Sequence, residues 1–286
     1  MKSTLTSIRQ LQPSQFLLVA VAAALVAIYM TLLSKAGDTA HLGMSGLFWL
    51  AICSLIWEKR HKLILESSIL PSLVGILLIA IVLWQAAVVN VGHFLRISPL
   101  ISAVAVGLLA SGFKGLKQYW GEFAILFFLG VPSVMASFLA DISPITAKFS
   151  AFLLWYSGFE VQLRDVYVIL PTGSVKVYAA CSGMEAMTYV LGLSVICLVM
   201  FPIGRSKQII APIVAIAIGF VVNAIRVAVL AILAAHQNQA AFDYWHEGEG
   251  SLIFGMIAVG IFGLFYFFLM HLEESRNQDR VKSLKK

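Results

Sequence analysis

Long apolar stretches with short polar interruptions dominate the chain, and most of them approach the length that a membrane-spanning helix needs. A bilayer span takes about 20 mostly apolar residues. Stretches that nearly exclude charge predict eight spans, at residues 15–34, 43–57, 71–89, 94–111, 122–141, 183–201, 208–236 and 251–271. The pattern therefore predicts an all-α polytopic membrane protein.

The longest polar segment, residues 142–180, follows the fifth predicted span. Its first half, 145–156, is apolar on one face, which predicts a short amphipathic helix in the membrane surface. Its second half predicts two strands, 161–170 and 175–178, joined by a turn that contains proline and glycine. We divide the chain into a five-helix scaffold, an outer helix with a hairpin, a three-helix region with the candidate chemistry, and a charged tail, at residues 1–141, 142–180, 181–271 and 272–286.

Composition and charge agree with this topology. Hydrophobic residues make up 60% of the chain and charged residues only 12%, whereas a soluble globular domain carries about 25% charged residues. The net charge of +6 comes from basic residues that cluster in alternate short loops and in both termini. By the positive-inside rule, both termini are cytoplasmic and segment 142–180 is outside. The charge therefore indicates topology rather than nucleic-acid binding.

Cys181 is the first candidate for chemistry, because it lies where the outer segment meets the sixth span. Cys197 lies about 24 Å further along the same helix, so the two cannot form a disulfide. Ser182 and Glu185 have the spacing of a helix capping box. This cap would leave Cys181 beside the first helical turn, where backbone amides and the helix dipole favour a thiolate. The alternative is a small buried side chain without chemistry.

Arg226 is the second candidate, since an arginine within a span costs at least ~2.5 kcal/mol and is functional by default. Asn223 lies three residues earlier and shares its helix face. The guanidinium is suited to hold a thiolate and then the oxyanion formed when a carbonyl is attacked. The alternatives are that it neutralises Glu185 or extends to the membrane surface.

His246 is the third candidate, in the outer loop before the last span. A thiol nucleophile needs a group that protonates the leaving amine, and imidazole does this near neutral pH. His236 is a rival on the same side, and Asp243 and Glu247 are alternative acids for orienting the ring. A lone cysteine with unpaired histidines makes no zinc ligand set, so neither a metal nor a cofactor is predicted.

Three motifs in this order resemble the exosortase/archaeosortase family, and the general layout resembles its cyanobacterial branch. They are Ala-Ala-Cys-Ser-Gly at 179–183, Asn-x-x-Arg at 223–226 and His-x-x-x-Gly at 246–250. The resemblance is specific over residues 179–250 and covers the scaffold only in outline. It implies a membrane-embedded cysteine protease or transpeptidase at the outer, periplasmic face of the cell inner membrane.

The resemblance also implies residue roles and a substrate class. Cys181 would be the nucleophile, Arg226 the transition-state stabiliser and His246 the general acid/base, with Asn223, Ser182 and Glu185 in support. The substrates would be exported proteins that end in a Pro-Glu-Pro-like motif, a hydrophobic helix and a basic tail, and the cleaved product would pass to a surface acceptor.

Two further hypotheses accompany this interpretation. Lys176 or Arg164 on the outer hairpin would receive the glutamate of the signal, because both are basic and lie on the same side. A small-solute transporter is the alternative function, since intramembrane Arg226 and Asn223 can line a substrate path. Against it, the chain shows no internal repeat, and its polar residues collect at one membrane face.

Overall fold

The computed structural model describes residues 13–88, 92–139, 141–246, 248 and 250–284. The chain forms two compact units that divide between Val131 and Pro132. Over the described residues, six helical stretches are long and apolar enough to cross a membrane. The protein is therefore a mostly helical, multi-pass membrane protein, and the predicted four-part division of the chain stays a prediction.

Five helices begin in the first unit. Helix α4 packs against both α1 and α3, and Gly75 of α3 lies so close to α4 that a side chain there would meet the Ala105 carbonyl oxygen. A 3₁₀ turn at Leu116–Tyr119 precedes the last helix. The helices are α1 (Pro13–Lys35), α2 (Thr39–Lys59), α3 (Ile69–Val88), α4 (His93–Gly115) and α5 (Trp120–Leu139).

The apolar stretch His93–Met135 folds as two antiparallel helices. The backbone of Gly112 has φ 63°, a left-handed conformation that interrupts α4. Beyond this break the chain returns, since Gly107 lies against Phe123 of α5 and Gly130 of α5 contacts the Arg96 carbonyl group. The predicted spans 94–111 and 122–141 thus correspond to the two arms of a helical hairpin.

The number of predicted spans exceeds the number of stretches that meet the length and composition of a span. Six stretches do so within the described ranges, because His93–Met135 counts as one and the helix Met184–Met200 has only 17 residues. At 1.5 Å per residue that helix is roughly 26 Å long, below the ~30 Å thickness of a bilayer core. Eight crossings stay a prediction.

The second unit is built around one long helix. The 31-residue helix α8 contacts every other helix named in this paragraph and two strands of a small sheet. Small residues line its buried face, including Ala211, Ala215 and Gly219, and these allow neighbouring backbones to approach. The helices are α6 (Ser143–Tyr156), α7 (Met184–Met200), α8 (Arg205–Ala235), α9 (Gln239–His246) and α10 (Gly250–Leu284).

The sheet has three strands, so the prediction of two was wrong. Strands β1 (Gln162–Arg164), β2 (Tyr167–Leu170) and β3 (Gly173–Lys176) pair antiparallel in that order. The predicted strand 161–170 is divided because Asp165 adopts φ 56°, a left-handed turn that asparagine and aspartate tolerate. A hydrophobic pattern alone does not reveal this turn.

Helix α6 coincides with the predicted amphipathic helix, but its small residues form the buried face. Thr146, Ala147 and Ser150 are fully buried, and the helix packs against α8. The large apolar side chains of Phe152 and Trp155 are exposed, whereas Leu154 is buried with the small residues. Small residues let the two helix backbones approach closely. The position of α6 in the membrane surface stays a prediction.

Candidate active site

Cys181 ends a short 3₁₀ helix, Ala179–Cys181, just before α7. The N-cap residue of α7 is Gly183, whose φ of 91° is left-handed and favours glycine. The space around this residue requires glycine as well. A Cβ atom at this position would lie 2.6 Å from Nδ2 of Asn223. The glycine therefore lets the chain turn sharply against α8 and leaves Cys181 buried.

The predicted capping box was wrong. Ser182 precedes the cap and donates its hydroxyl hydrogen to the Ala179 carbonyl oxygen at 2.7 Å. Glu185 lies in the first turn of α7, where its carboxylate accepts a hydrogen bond from the Tyr189 hydroxyl at 2.7 Å. The left-handed glycine delays the start of the helix by one residue, which removes the capping-box register.

Two buried side chains hold the backbone on either side of the Cys181–Ser182 peptide bond. Asn223 on α8 donates from Nδ2 to the Cys181 carbonyl oxygen at 3.0 Å. Thr146 on α6 donates from Oγ1 to the Ser182 carbonyl oxygen at 2.6 Å. Both donors are almost fully buried, so these bonds are protected from water. The path of the chain at Cys181 is thus fixed from two helices.

His246, the last residue of α9, lies next to the thiol. Its Nε2 is 3.1 Å from Sγ of Cys181, within hydrogen-bond range for sulfur. The Phe242 ring packs against the imidazole with centroids 5.2 Å apart. Either the thiol or the ring nitrogen can be the donor, depending on the tautomer. This contact is the geometry that proton transfer between a thiol and an imidazole requires.

Arg226 binds the end of the helix that carries His246. Its Nε donates to the Trp245 carbonyl oxygen at 3.4 Å, and its Nη2 donates to the carbonyl oxygen of His246. The direct role in charge stabilisation stays a prediction, and these bonds hold the backbone at His246.

The remaining candidates take other positions. His236 is the C-cap residue of α8, and the histidine at the thiol is His246. The Asp243 carboxylate accepts a hydrogen bond from the Gln239 amide at 2.8 Å. Glu247 lies outside the described residues, so the choice of an acid that orients the imidazole stays open.

Sequence analysis missed Tyr178. Its hydroxyl oxygen is 3.4 Å from the same Nε2 atom that faces Sγ, and its ring meets the imidazole edge-on with centroids 6.3 Å apart. A signal was available in the alternation Val175-Lys176-Val177-Tyr178, and in the structure Val177 is buried while Lys176 and Tyr178 are exposed. The pattern places Tyr178 on the outer face, three residues before Cys181.

A buried thiol paired with a histidine, held by apolar helices, defines a multi-pass membrane protein with a candidate cysteine–histidine active site. Residues 36–263 match the family described as transmembrane exosortase. The chain therefore belongs to the exosortase family. It has no significant match among curated proteins or among solved structures. Its assignment to the cyanobacterial branch stays a prediction.

Proposed function

We propose that this protein is a membrane-embedded cysteine protease and transpeptidase that cleaves C-terminal sorting signals of exported proteins. The observation that carries the proposal is the 3.1 Å contact between Sγ of Cys181 and Nε2 of His246, in a chain that belongs to the exosortase family. A thiol needs an adjacent base to become a nucleophile near neutral pH. The imidazole supplies that base.

The proposed reaction has two halves, and His246 moves the proton in each. The imidazole takes the Cys181 proton, and the thiolate attacks the scissile carbonyl carbon to form a tetrahedral oxyanion. The C–N bond then breaks as the imidazolium protonates the leaving amine, which leaves a thioester on Cys181. In the second half, an acceptor amine or water gives its proton to the imidazole and attacks the thioester, and the restored proton returns to sulfur.

Arg226 supports this chemistry in two ways. Two of its donors hold the Trp245 and His246 carbonyl groups, and a guanidinium has five N–H donors in all. The donors outside these two bonds are available to an oxyanion. Arg226→Lys keeps the charge but loses the fork of donors, so we expect it to lower turnover strongly.

The exposed face of the sheet carries Arg164 and Lys176 in a row, here called the basic row, which is suited to bind the acidic motif of the sorting signal. Arg164 pairs with Tyr167 across β1 and β2, and Tyr167 pairs with Lys176 across β2 and β3. Directly paired residues project from the same face, and the Lys176 ammonium lies 5.7 Å from the centre of the Tyr167 ring. The row continues along the chain to Tyr178, which is at the site.

A charge-matched pair of double variants tests the basic row. We expect Arg164→Ala with Lys176→Ala to raise KM for a Pro-Glu-Pro signal by about tenfold, the effect of losing ~1.4 kcal/mol of binding. The control, Lys148→Ala with Arg205→Ala, removes the same charge from two exposed positions elsewhere in the unit. Unchanged KM in the first variant rejects the row as the glutamate site.

The proposed location is the cell inner membrane, with both termini in the cytoplasm and the site facing the periplasm. The support is the clustering of basic residues in alternate loops. A membrane-impermeant thiol reagent applied to intact spheroplasts tests the termini. The thiol of Lys282→Cys should be protected from the reagent until the membrane is opened. Immediate labelling of this thiol would show that the topology is the opposite of the one proposed.

The experiment that tests the function uses cells expressing this chain and a tagged protein with a sorting signal. We expect cells with Cys181→Ser to accumulate the full-length precursor, because a hydroxyl is a much weaker nucleophile than a thiolate at neutral pH. Cys197→Ser, which changes another thiol in the same unit, should process the precursor normally. Undiminished processing by Cys181→Ser would reject the enzyme.

A further inference from the structure

A cavity of about 330 Å³ lies among α1, α2, α4 and α5 of the first unit. Its lining runs along α1 from Gln15 to Tyr29, along α2 from Trp49 to Arg60 just past the helix end, and along α4 from Pro99 to Ala110. These intervals cover roughly 16 to 21 Å of helix. One leaflet of the hydrocarbon core is about 15 Å thick. The cavity is therefore at least as deep as one acyl layer, and most of its walls are apolar side chains.

The charged groups of the cavity collect at one end, whereas Tyr29, Trp49 and Ser102 line the other end. Gln15 is in the first turn of α1, Arg60 follows α2 and Glu122 is in the first turn of α5. Lys59 joins this end by an ion pair with Glu122, Nζ to Oε2 at 2.7 Å. An apolar channel with a charged mouth has the polarity of a membrane amphiphile and not that of a soluble metabolite.

Glu122 indicates that a bound amphiphile must carry a hydrogen-bond donor. The residue is only 4% exposed, and although Lys59 binds Oε2, Oε1 is buried with no hydrogen-bond partner among the described residues. A buried carboxylate oxygen without a donor is costly, and such atoms are normally satisfied. Because Glu122 lines the cavity, a donor on a bound ligand is suited to satisfy it.

Arg60 places a positive charge at the same end of the cavity. Its guanidinium is stacked 4.1 Å from the Trp57 ring centre, and it donates one hydrogen bond to the Trp57 carbonyl oxygen. An arginine that retains further donors is suited to a phosphate, and basic pockets between membrane helices recruit phospholipid head groups. The mouth therefore combines a phosphate partner with an acceptor for a head-group donor.

We propose that this cavity is a specific phospholipid site. One acyl chain fills the apolar part, the phosphate lies at Arg60, and an N–H or O–H group of the head donates to Oε1 of Glu122. Phosphatidylethanolamine and phosphatidylglycerol both carry this combination, one through an ammonium and the other through a hydroxyl. Phosphatidylcholine has the same phosphate and chains but no donor, so it should bind more weakly. The site is independent of the proposed peptidase chemistry.

Native mass spectrometry of the delipidated full-length protein, titrated with each of the three lipids, tests the proposal. We expect one tightly bound molecule of phosphatidylethanolamine or phosphatidylglycerol, with phosphatidylcholine at least about tenfold weaker, as for the loss of a hydrogen bond to a charged group. The preferred head group distinguishes the ammonium from the hydroxyl. Equal, graded binding of all three lipids would show only a general lipid coat and would overturn the site.

Two variants locate the binding. Glu122→Gln replaces one carboxylate oxygen with an amide donor and should abolish the preference over phosphatidylcholine, whereas Glu58→Gln, an exposed carboxylate near the end of α2, should keep it. Ala103→Phe fills the apolar part of the cavity and should remove the tight molecule of any lipid. If Ala103→Phe and wild type retain the same lipid with the same affinity, the cavity is not the site.

Discussion

The two units satisfy their buried polar side chains in different ways. The first largely pairs side chain with side chain, as where the Tyr29 hydroxyl contacts Nε2 of His41 at 3.0 Å and Oγ of Ser45 at 2.8 Å. The second bonds side chains to backbone carbonyl groups around the candidate site, as Asn223 does at Cys181. In both units these hydrogen bonds offset the cost of burying the groups that make them.

The difference matters because the two arrangements constrain different things. A bond between two side chains joins neighbouring helices and stabilises the unit as a whole. A bond from a side chain to a carbonyl group fixes the path of the chain at one residue. In the second unit those residues include Cys181, Ser182 and His246. We infer that the first unit uses its polar groups for stability and the second uses them to position reactive atoms.

His246→Ala should have the largest effect among the variants that test this comparison. In the proposed mechanism, removing the imidazole takes away both the base for Cys181 and the acid for the leaving amine, which we expect to lower kcat by roughly 10² to 10⁴-fold. His236→Ala changes the histidine that caps α8 and should leave processing near the wild-type rate. Cleavage of a tagged precursor, followed over time, measures both. Equal rates for the two variants would contradict the assignment.

A pair of glycine variants separates backbone strain from crowding at the site. Gly183 and Gly158 have nearly the same φ, 91° and 89°, so alanine costs each about 1–2 kcal/mol. At Gly183 the new Cβ atom also meets Asn223, whereas at Gly158 nothing lies within 4 Å. We expect Gly183→Ala to be less stable in thermal unfolding than Gly158→Ala by ~1–3 kcal/mol, and to be inactive. Equal stabilities would show that the contact with Asn223 is unimportant.

Tyr178→Phe tests the residue that sequence analysis missed. Its hydroxyl contacts Nε2 of His246, so its loss should change kcat about three- to tenfold, the effect of one hydrogen bond worth ~1 kcal/mol, and should displace the pH profile of kcat. Tyr156→Phe, at an exposed tyrosine that ends α6, is the control. Identical pH profiles for Tyr178→Phe and wild type would leave the hydroxyl without a role.

Two fully buried serines give the smallest effects and the most direct comparison of the units. Ser45 contacts a side chain in the first unit, and Ser150 donates to the Ala224 carbonyl oxygen at 2.9 Å in the second. We expect Ser45→Ala and Ser150→Ala to lose similar stability, about 1 kcal/mol each. Only Ser150→Ala should slow precursor cleavage, since Ala224 adjoins Asn223. If Ser45→Ala is fully folded but also cleaves the precursor more slowly than wild type, the distinction between the two units is contradicted.

The sequence was informative where a pattern is long or a residue is costly. Apolar stretches predicted the helices, because a membrane core demands length and hydrophobicity. Arg226 and Cys181 stood out because a cation within a span and an unpaired outer thiol both need explanations. The approach of His246 to Cys181 followed from the number of crossings between them, although the roles of these residues stay predictions.

The sequence was uninformative where a single backbone angle or a tertiary bond decides the structure. Ser182 and Glu185 have the spacing of a capping box, but the left-handed Gly183 begins the helix instead. Asp165 divides a strand that the hydrophobic pattern presents as continuous. The bonds from Arg226 to carbonyl groups of α9 depend on how that short helix packs, which residue types do not reveal.

The most direct test of the central claim is the rate at which Cys181 is alkylated at neutral pH in the full-length protein, with Cys53 and Cys197 replaced by serine. Because the thiolate is the reacting form, a Cys181–His246 pair predicts alkylation about tenfold faster than in the same protein carrying His246→Ala, with His236→Ala unchanged. Equal rates with and without His246 would show that the imidazole does not activate the thiol and would contradict the account.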